Sequence, residues 1–324
     1  MLEMSFLRYL WLVLIVTGVL FGGREGYVQL VKFGCLPPGG VPPAEGWLQS
    51  CSSPQVGGID ETVVWFGLEK SVPPAVQAAD VLIFGDSRIE FAFSRGNASE
   101  WFSAHQLRSY LLAFGGGAES GLAQQLLTKF QIHPAVLVFN ADPYFTGELS
   151  QHGQAIRDNP DRELNAVLDT QSFIERYAGY CRYVGWLCGR TTTAYRAYAD
   201  GRVFTYFPER FWFGKAMAAH LPVAKPPPWN TASFDIYLQH AQAILALAGT
   251  DRSCVVFTIV PNSEQDDGLA KYLARETGGV AIAPQFDGLT TSDGSHLTIE
   301  SASKWTPAFL QEVLPVIARC VHPR

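Results

Sequence analysis

The sequence predicts an α/β domain built on a parallel five-stranded sheet with helices on both faces. Short, continuous apolar runs alternate with segments of helical pattern along most of the chain after residue 80. Parallel strands buried on both faces have this continuous apolar character, and strand–helix alternation is typical of parallel sheets. The chain has 324 residues, 48% of them hydrophobic, which is enough for one large domain with an ample core.

The predicted elements follow one another in the order that such a sheet requires. The five strands are residues 81–84, 110–114, 135–139, 255–260 and 279–283. The helices are residues 119–130, 233–247 and 263–276, and a last helical segment follows Thr298, which can cap it. No internal repeat is evident.

A nucleophile and a base are predicted at opposite ends of this domain. The first strand ends in the tight turn Gly85-Asp86-Ser87, and ligands of open α/β sheets bind outside the carboxyl ends of the strands. Asp293 and His296 stand three residues apart in a later turn, close enough for the carboxylate to orient the imidazole. These residues predict a triad of Ser87, His296 and Asp293.

The early Gly-Asp-Ser and the late Asp-x-x-His together resemble the SGNH (GDSL-type) hydrolase superfamily, over roughly residues 81–319. The resemblance implies a flavodoxin-like SGNH fold and acyl transfer through the triad, with no cofactor and no metal. It also implies an oxyanion hole formed by the Ser87 amide, the Gly117 amide and the Asn140 side chain. Gly117 is chosen over Gly116 because it lies nearest the start of the following helix.

Two positions depart from the usual family pattern. Asn140 lies in the segment Phe139-Asn140-Ala141-Asp142, where the family usually has Gly-x-Asn-Asp, so the Gly is missing and the Asp is displaced. Arg88 follows the nucleophile where the plain esterases usually carry a small or apolar residue. Asp86 and Arg88 are therefore candidate substrate-binding residues, with Arg88 contacting an anionic glycan or donor. The alternatives are that Asp86 holds the turn through backbone contacts, and that Arg88 forms a salt bridge with Glu90 or Asp142.

Residues 1–23 are predicted to be a signal anchor or transmembrane helix. The run from Tyr9 to Gly23 has no charge, and Phe6 and Leu7 extend it toward the ~20 residues that a spanning helix needs. A cleavable signal peptide and a buried core helix are the alternatives. Residues 24–79, with clustered Pro, Gly and Ser, are interpreted as a stalk or linker, and 80–324 as the SGNH-like domain with an insertion at 143–230.

The insertion interleaves Tyr and Arg, as at Tyr180, Arg182 and Tyr183. This composition suits carbohydrate stacking, a face lying on a membrane or on a membrane partner, or an ordinary excursion packed on the core. The net charge of −6, with only 17% charged residues, provides no basic field for nucleic acid.

The six cysteines, an even number, favour disulfides and an oxidising compartment over free thiols, and their spacing does not suggest zinc. The topology also predicts that Cys254 and Cys320 lie close together, with Cα atoms under ~7 Å apart if they are bonded. This path assumes that Pro307 divides the last segment and that Thr306 caps a second helix.

An anchor, an extracytoplasmic domain and a large insertion together resemble the O-acyltransferase accessory proteins of bacterial envelope polysaccharides. The resemblance implies an extracytoplasmic serine-dependent O-acyltransferase that moves acetyl groups to a polysaccharide, beside a multispanning membrane acyltransferase. It would be a single-pass protein of the bacterial inner membrane with its domain facing the periplasm. The alternatives are a carbohydrate acetylesterase with the same triad and a non-catalytic scaffold protein of polysaccharide assembly or export.

Overall fold

A five-stranded parallel sheet forms the centre of the protein. The computed structural model describes residues 9–19, 22–23, 46–50, 52–53, 57–115, 120–149, 151–169, 194–205, 221–226 and 229–321. The strands of the sheet are β1 (Val81–Gly85), β2 (Ser109–Ala113), β3 (Val136–Asn140), β4 (Val255–Thr258) and β5 (Val280–Ala281). Their order is β5-β4-β3-β1-β2, and every pairing is parallel. This is the strand order of flavodoxin-like doubly wound sheets, and it confirms the predicted parallel sheet.

Helices cover both faces of the sheet. The five main ones are α1 (Ser87–Arg95), α2 (Ser120–Phe130), α3 (Phe234–Ala248), α4 (Gly268–Thr277) and α5 (Ile299–Cys320). Helices α2, α3 and α4 share one apolar core with Leu82 and Phe84, whereas α1 and α5 share the other with Val81 and Ile83. This split follows from the alternation of side chains along a strand.

Smaller elements surround this framework. A three-stranded antiparallel sheet joins Trp47–Ser50, Ala194–Ala197 and Val203–Thr205. Two-stranded pairings join Ser52–Ser53 with Gly57–Gly58, and Leu221–Pro222 with Thr290–Thr291. The remaining helical segments are Ile59–Phe66, Val72–Gln77, Ala98–Ala104, Gln151–Asp158 and residues 160–169, with 3-10 turns at Pro143–Thr146, Thr231–Ser233 and Arg252–Cys254.

The stalk interpretation of residues 24–79 needs correction in its second half. Ile59–Phe66 and Val72–Gln77 are helices whose Val64, Val72 and Val76 side chains are buried in the core shared with α2. Trp47–Ser50 pairs with Ala194–Ala197 of the insertion. The domain therefore begins well before residue 80, because these short apolar segments are part of its packing; residues 24–45 lie outside the described residues.

The last helix runs without a break, so the predicted division at Pro307 is wrong. Helix α5 contains Pro307 within its span, and Thr306 does not cap a new helix. The Thr306 hydroxyl instead donates to the Ala92 carbonyl oxygen at 2.9 Å. Proline removes one backbone hydrogen bond from a helix, but Trp305 and Phe309 on either side of it are fully buried and stack at 5.1 Å. This packing holds the helix together across the proline.

The predicted proximity of Cys254 and Cys320 is confirmed. The two form a disulfide with a Cα–Cα distance of 5.9 Å, and it joins the residue before β4 to the last residue of α5. Beside it, the Arg319 guanidinium donates to the Ser253 carbonyl oxygen. The cysteines at positions 35, 51, 181 and 188 lie outside the described residues.

The predicted anchor is described only in part. Residues 9–19 are helical, with apolar side chains such as Trp11 and Ile15 exposed. Among the helices that the structure describes, none combines the length and apolar character needed to cross a membrane. Residues 1–8 and 20–21 of the predicted segment lie outside the described residues, so the anchor stays a prediction.

Candidate active site

The turn between β1 and α1 places Ser87 at the first position of a helix. The Asp86 carboxylate caps α1 by accepting a hydrogen bond from the Arg88 backbone N–H at 2.9 Å. A Cβ atom on Gly85 would come within 2.6 Å of the Ile89 side chain and 2.9 Å of Asn140, so only glycine fits at this position. The first backbone N–H groups of a helix have no intrahelical acceptor, and the Ser87 amide therefore lies where an anion can bind.

Ser87, His296 and Asp293 lie in hydrogen-bond contact in the predicted order. The Ser87 Oγ is 2.8 Å from His296 Nε2, although the two residues are 209 positions apart in the chain. His296 Nδ1 is 2.6 Å from Asp293 Oδ2, and the backbone N–H groups of Ser295 and His296 donate to Asp293 Oδ1. A carboxylate at Nδ1 favours the tautomer that leaves Nε2 free to accept the Ser87 proton.

Asp293 is ionised over the whole physiological pH range. Partial burial opposes its charge, but hydrogen bonds from the His296 side chain and from the His296 and Ser295 backbone outweigh this effect and lower the pKa of Asp293 to about 2. The His296 ring also meets the Phe91 ring edge-on at a centroid distance of 5.2 Å. The imidazole is thus held from two sides, by a charge and by an aromatic ring.

The predicted oxyanion hole is only partly described. Gly117 lies outside the described residues. Asn140 is fully buried, and its Nδ2 donates to Asp142 Oδ2 at 2.6 Å and to Asp86 Oδ1 at 3.3 Å. Its Oδ1 accepts from the Val260 backbone N–H at 3.0 Å, which fixes the orientation of the amide. Both amide hydrogens of Asn140 are therefore used internally, and the prediction that Asn140 donates to an oxyanion needs correction for this arrangement.

Arg88 forms several contacts within the protein. Its guanidinium is buried and donates to Asp142 Oδ2 at 3.3 Å, to the Gln265 side chain at 2.5 Å and to Ser295 Oγ at 2.8 Å, and it also pairs with Glu264. The salt bridge to Asp142 confirms one of the predicted alternatives, whereas Glu90 pairs with another arginine. The predicted contact of Asp86 and Arg88 with a substrate stays a prediction.

Asp142 lies at the centre of this buried polar cluster. Its carboxyl is fully buried, and Oδ1 has no hydrogen-bond partner among the described residues. Burial is the largest cause that raises the pKa of Asp142 well above its usual range, and the nearby Asp86 carboxylate adds to it, while Arg88 opposes the shift. Asp142 is therefore held in its protonated form over a much wider pH range than an exposed aspartate.

Sequence reasoning missed several residues that support the site. Ser295 contacts Arg88 and so joins the turn that carries His296 to the nucleophile helix. Phe91 lies one turn after Ser87 on α1 and packs against His296. The guanidinium carbon of Arg95 lies 4.7 Å from the centre of the Phe91 ring. The i, i+4 spacing of Ser87 and Phe91 was a signal that Phe91 would lie near the nucleophile. No local pattern indicated the contact of Ser295 with Arg88.

Within the described parts of the chain, no three His, Cys, Asp or Glu side chains are grouped as metal ligands would be. Comparisons with protein families, with characterised proteins and with solved structures found no match for this chain.

Proposed function

We propose that the protein is a serine-dependent acyl-transfer enzyme of the SGNH type, acting on ester bonds through Ser87, His296 and Asp293. The observation that carries this proposal is the continuous hydrogen-bond chain from the Ser87 hydroxyl through both His296 nitrogens to Asp293. This chain begins at the carboxyl end of a central strand in a sheet with flavodoxin-like order. In such sheets this is the edge at which ligands bind.

In the first half of the reaction, Ser87 Oγ attacks the carbonyl carbon of the ester while His296 Nε2 takes the hydroxyl proton. The ionised Asp293 stabilises the imidazolium that results. The carbonyl oxygen becomes negatively charged and is stabilised by the Ser87 amide at the start of α1. The carbon–oxygen bond to the leaving alcohol then breaks, and His296 returns its proton to that alcohol.

In the second half, an acceptor hydroxyl gives its proton to His296 and attacks the acyl carbon on Ser87. The bond to Ser87 Oγ breaks, and Ser87 recovers the proton from His296. Water as acceptor makes the protein an esterase, and a sugar hydroxyl makes it an O-acyltransferase. We rank first transfer of acetyl groups to a polysaccharide, on the extracytoplasmic side of a bacterial membrane and beside a membrane acyltransferase. This ranking rests on the resemblance of the chain's architecture to accessory proteins of that class.

Labelling with a fluorophosphonate probe tests the chemistry. Ser87 Oγ would displace fluoride from phosphorus, and the adduct would be located by mass spectrometry. We expect labelling of the wild-type protein and its loss in Ser87→Ala and His296→Ala. Ser303→Ala and His105→Ala are matched controls because both side chains are exposed and lie outside the site. A folded wild-type protein that takes no label would overturn the proposal and favour a non-catalytic scaffold.

A second experiment separates the two acceptors. The purified protein is given an acetyl ester with and without an oligosaccharide, and both acetate and acetylated sugar are quantified. We expect acetyl groups to appear on the sugar faster than acetate appears in water. Release into water alone would leave the triad chemistry intact and make the protein an acetylesterase.

A further inference from the structure

One buried arginine of the middle insertion contacts both the nucleophile helix and the strand beside it. Arg196 lies in the strand Ala194–Ala197, and only 2% of its side chain is exposed. Its Nη2 donates to Glu90 Oε1 at 2.7 Å and to the Ala113 carbonyl oxygen at 2.7 Å. Its Nη1 donates to the carbonyl oxygens of Gly201 and Leu111, and the guanidinium lies 4.5 Å from the Phe114 ring centre.

The two groups that share Nη2 are both close to the proposed reaction. Glu90 lies three residues after Ser87 on α1, so the two side chains are on the same face of the helix. Ala113 is the last residue of β2 and stands two residues before Gly115, where the glycine loop begins. A Cβ atom on Gly115 would lie 3.9 Å from Glu90 Oε2, so Gly115 itself lies close to the same carboxylate.

The position of β2 explains why an arginine is needed here. Among the strands that the structure describes, β2 lies at the edge of the sheet, so no neighbouring strand bonds its outer carbonyl groups. The Arg196 guanidinium donates hydrogen bonds to the carbonyl oxygens of Leu111 and Ala113. The Asp200 carbonyl oxygen accepts a hydrogen bond from the Leu111 N–H at 2.8 Å. A planar guanidinium can bond a carboxylate and several carbonyls at once, whereas a lysine ammonium cannot span the same set.

We propose that Arg196 is a positioning residue for the Ser87 amide: together with Glu90 it fixes the first turns of helix α1 against the end of β2. This inference rests on the proposed function, since it assigns Arg196 a part in that same site. It also gives the middle insertion a role, because the insertion supplies the arginine.

Conservative replacements of the two partners test the inference. Arg196→Lys keeps the positive charge but loses the planar fork, and Glu90→Gln keeps the shape but loses the charge. We expect each to lower kcat for an acetyl ester about 10–100-fold, because a small misplacement of one donor has effects of this order. The KM should stay within about twofold, and the apparent pKa in the pH profile of kcat/KM should not move, because the Ser87–His296–Asp293 contacts remain. The rate of phosphonylation by the fluorophosphonate probe should fall in parallel with kcat.

Arg202→Gln is the matched control. Arg202 lies on the same hairpin, and its guanidinium forms ion pairs with Glu100 and Asp200. We expect its kcat and its phosphonylation rate to be those of the wild type. Titration of active sites corrects every rate for misfolded protein, so a loss of folded enzyme is not counted as a loss of kcat.

The outcomes separate this inference from the proposed function. A wild-type protein that is not phosphonylated at Ser87 overturns both. If the wild type reacts and the correctly folded Arg196→Lys and Glu90→Gln variants react at the same rate, only the positioning role is refuted. If Arg196→Lys does not fold, Glu90→Gln alone decides: a lower kcat per active site supports the role, and an unchanged kcat overturns it.

Discussion

Removing the disulfide between Cys254 and Cys320 should destabilise the protein by an amount that depends on the length of the loop that the bond closes. The bond closes a loop with a sequence separation of 66 residues. In the loop-entropy model, a cross-link of this length removes conformational entropy from the unfolded chain worth about 4 kcal/mol at 25 °C. The native state needs little rearrangement, because Arg319 still bonds the Ser253 carbonyl oxygen at the same place. We therefore expect the double variant Cys254→Ala/Cys320→Ala to lose about 3–4 kcal/mol of unfolding free energy.

Urea denaturation followed by circular dichroism measures this loss. The single variants Cys254→Ala and Cys320→Ala serve as controls, and each should lose as much stability as the double variant, to within about 1 kcal/mol. The native spectrum should not change, since the residues around the bond, such as Val255 and Ile317, stay buried. A double variant with the stability of the wild type would show that the loop closed by this bond does not govern the stability of the domain.

Four further predictions concern the candidate site and its support. Asp293→Asn should lower kcat for an ester about 10³–10⁴-fold in steady-state assays, because the amide favours the wrong tautomer of the histidine; an active variant would contradict the role of Asp293. Arg88→Met should lower the unfolding free energy in urea by about 1–3 kcal/mol, because it leaves the buried oxygens of Asp142 and Ser295 without their hydrogen-bond donor; unchanged stability would refute this. Gly96→Ala should lower it by about 1–3 kcal/mol, because the added Cβ would come within 2.4 Å of Thr306 Cβ; a wild-type urea midpoint would disprove such close helix packing. Asp142→Asn should gain stability relative to the wild type as pH rises above about 4, because the raised pKa of Asp142 makes the native state hold a proton that the unfolded chain loses; parallel pH–stability curves would contradict this.

The lowered pKa of Asp293 makes stability depend on pH in the opposite direction from the raised pKa of Asp142. Its folded-state pKa of about 2 lies below the value near 3.9 expected in the unfolded chain. The ionised Asp293 therefore contributes stability above about pH 4, and this contribution is lost as pH falls through 2. After allowance for solvent screening, it amounts to about 1–2 kcal/mol.

The parallel sheet could be predicted because its strands are buried on both faces. Such strands show continuous apolar runs, as at residues 81–84 and 135–139. The turn with Asp293 and His296 was also predictable, because its contacts span only three residues. The cysteine pair followed from topology alone, since a helix that starts at the catalytic edge must end near the start of the strands.

Other parts of the protein could not be predicted because they depend on distant residues. Glu90 and Arg196 are 106 positions apart, and nothing local to either residue indicates the other. Pro307 looked like the start of a new helix, but the buried Trp305 and Phe309 hold α5 together across it. Ile59–Phe66 is only two turns long and follows clusters of Pro, Gly and Ser, so the local pattern indicates a stalk and not a packed helix.

The charges beside the nucleophile bear on what the proposed enzyme could recognise. Arg88 and Arg196 are both buried, and each is paired with a carboxylate, Arg88 with Asp142 and Arg196 with Glu90. An anionic substrate that recruited Arg196 would leave the Glu90 carboxylate buried without its partner, at a cost of about 3–5 kcal/mol. Recruitment of Arg88 would break its hydrogen bonds to Ser295 and Gln265. In the part of the site that the structure describes, both arginines are therefore bonded within the protein. We therefore expect the proposed enzyme to act faster on an uncharged ester than on an anionic one.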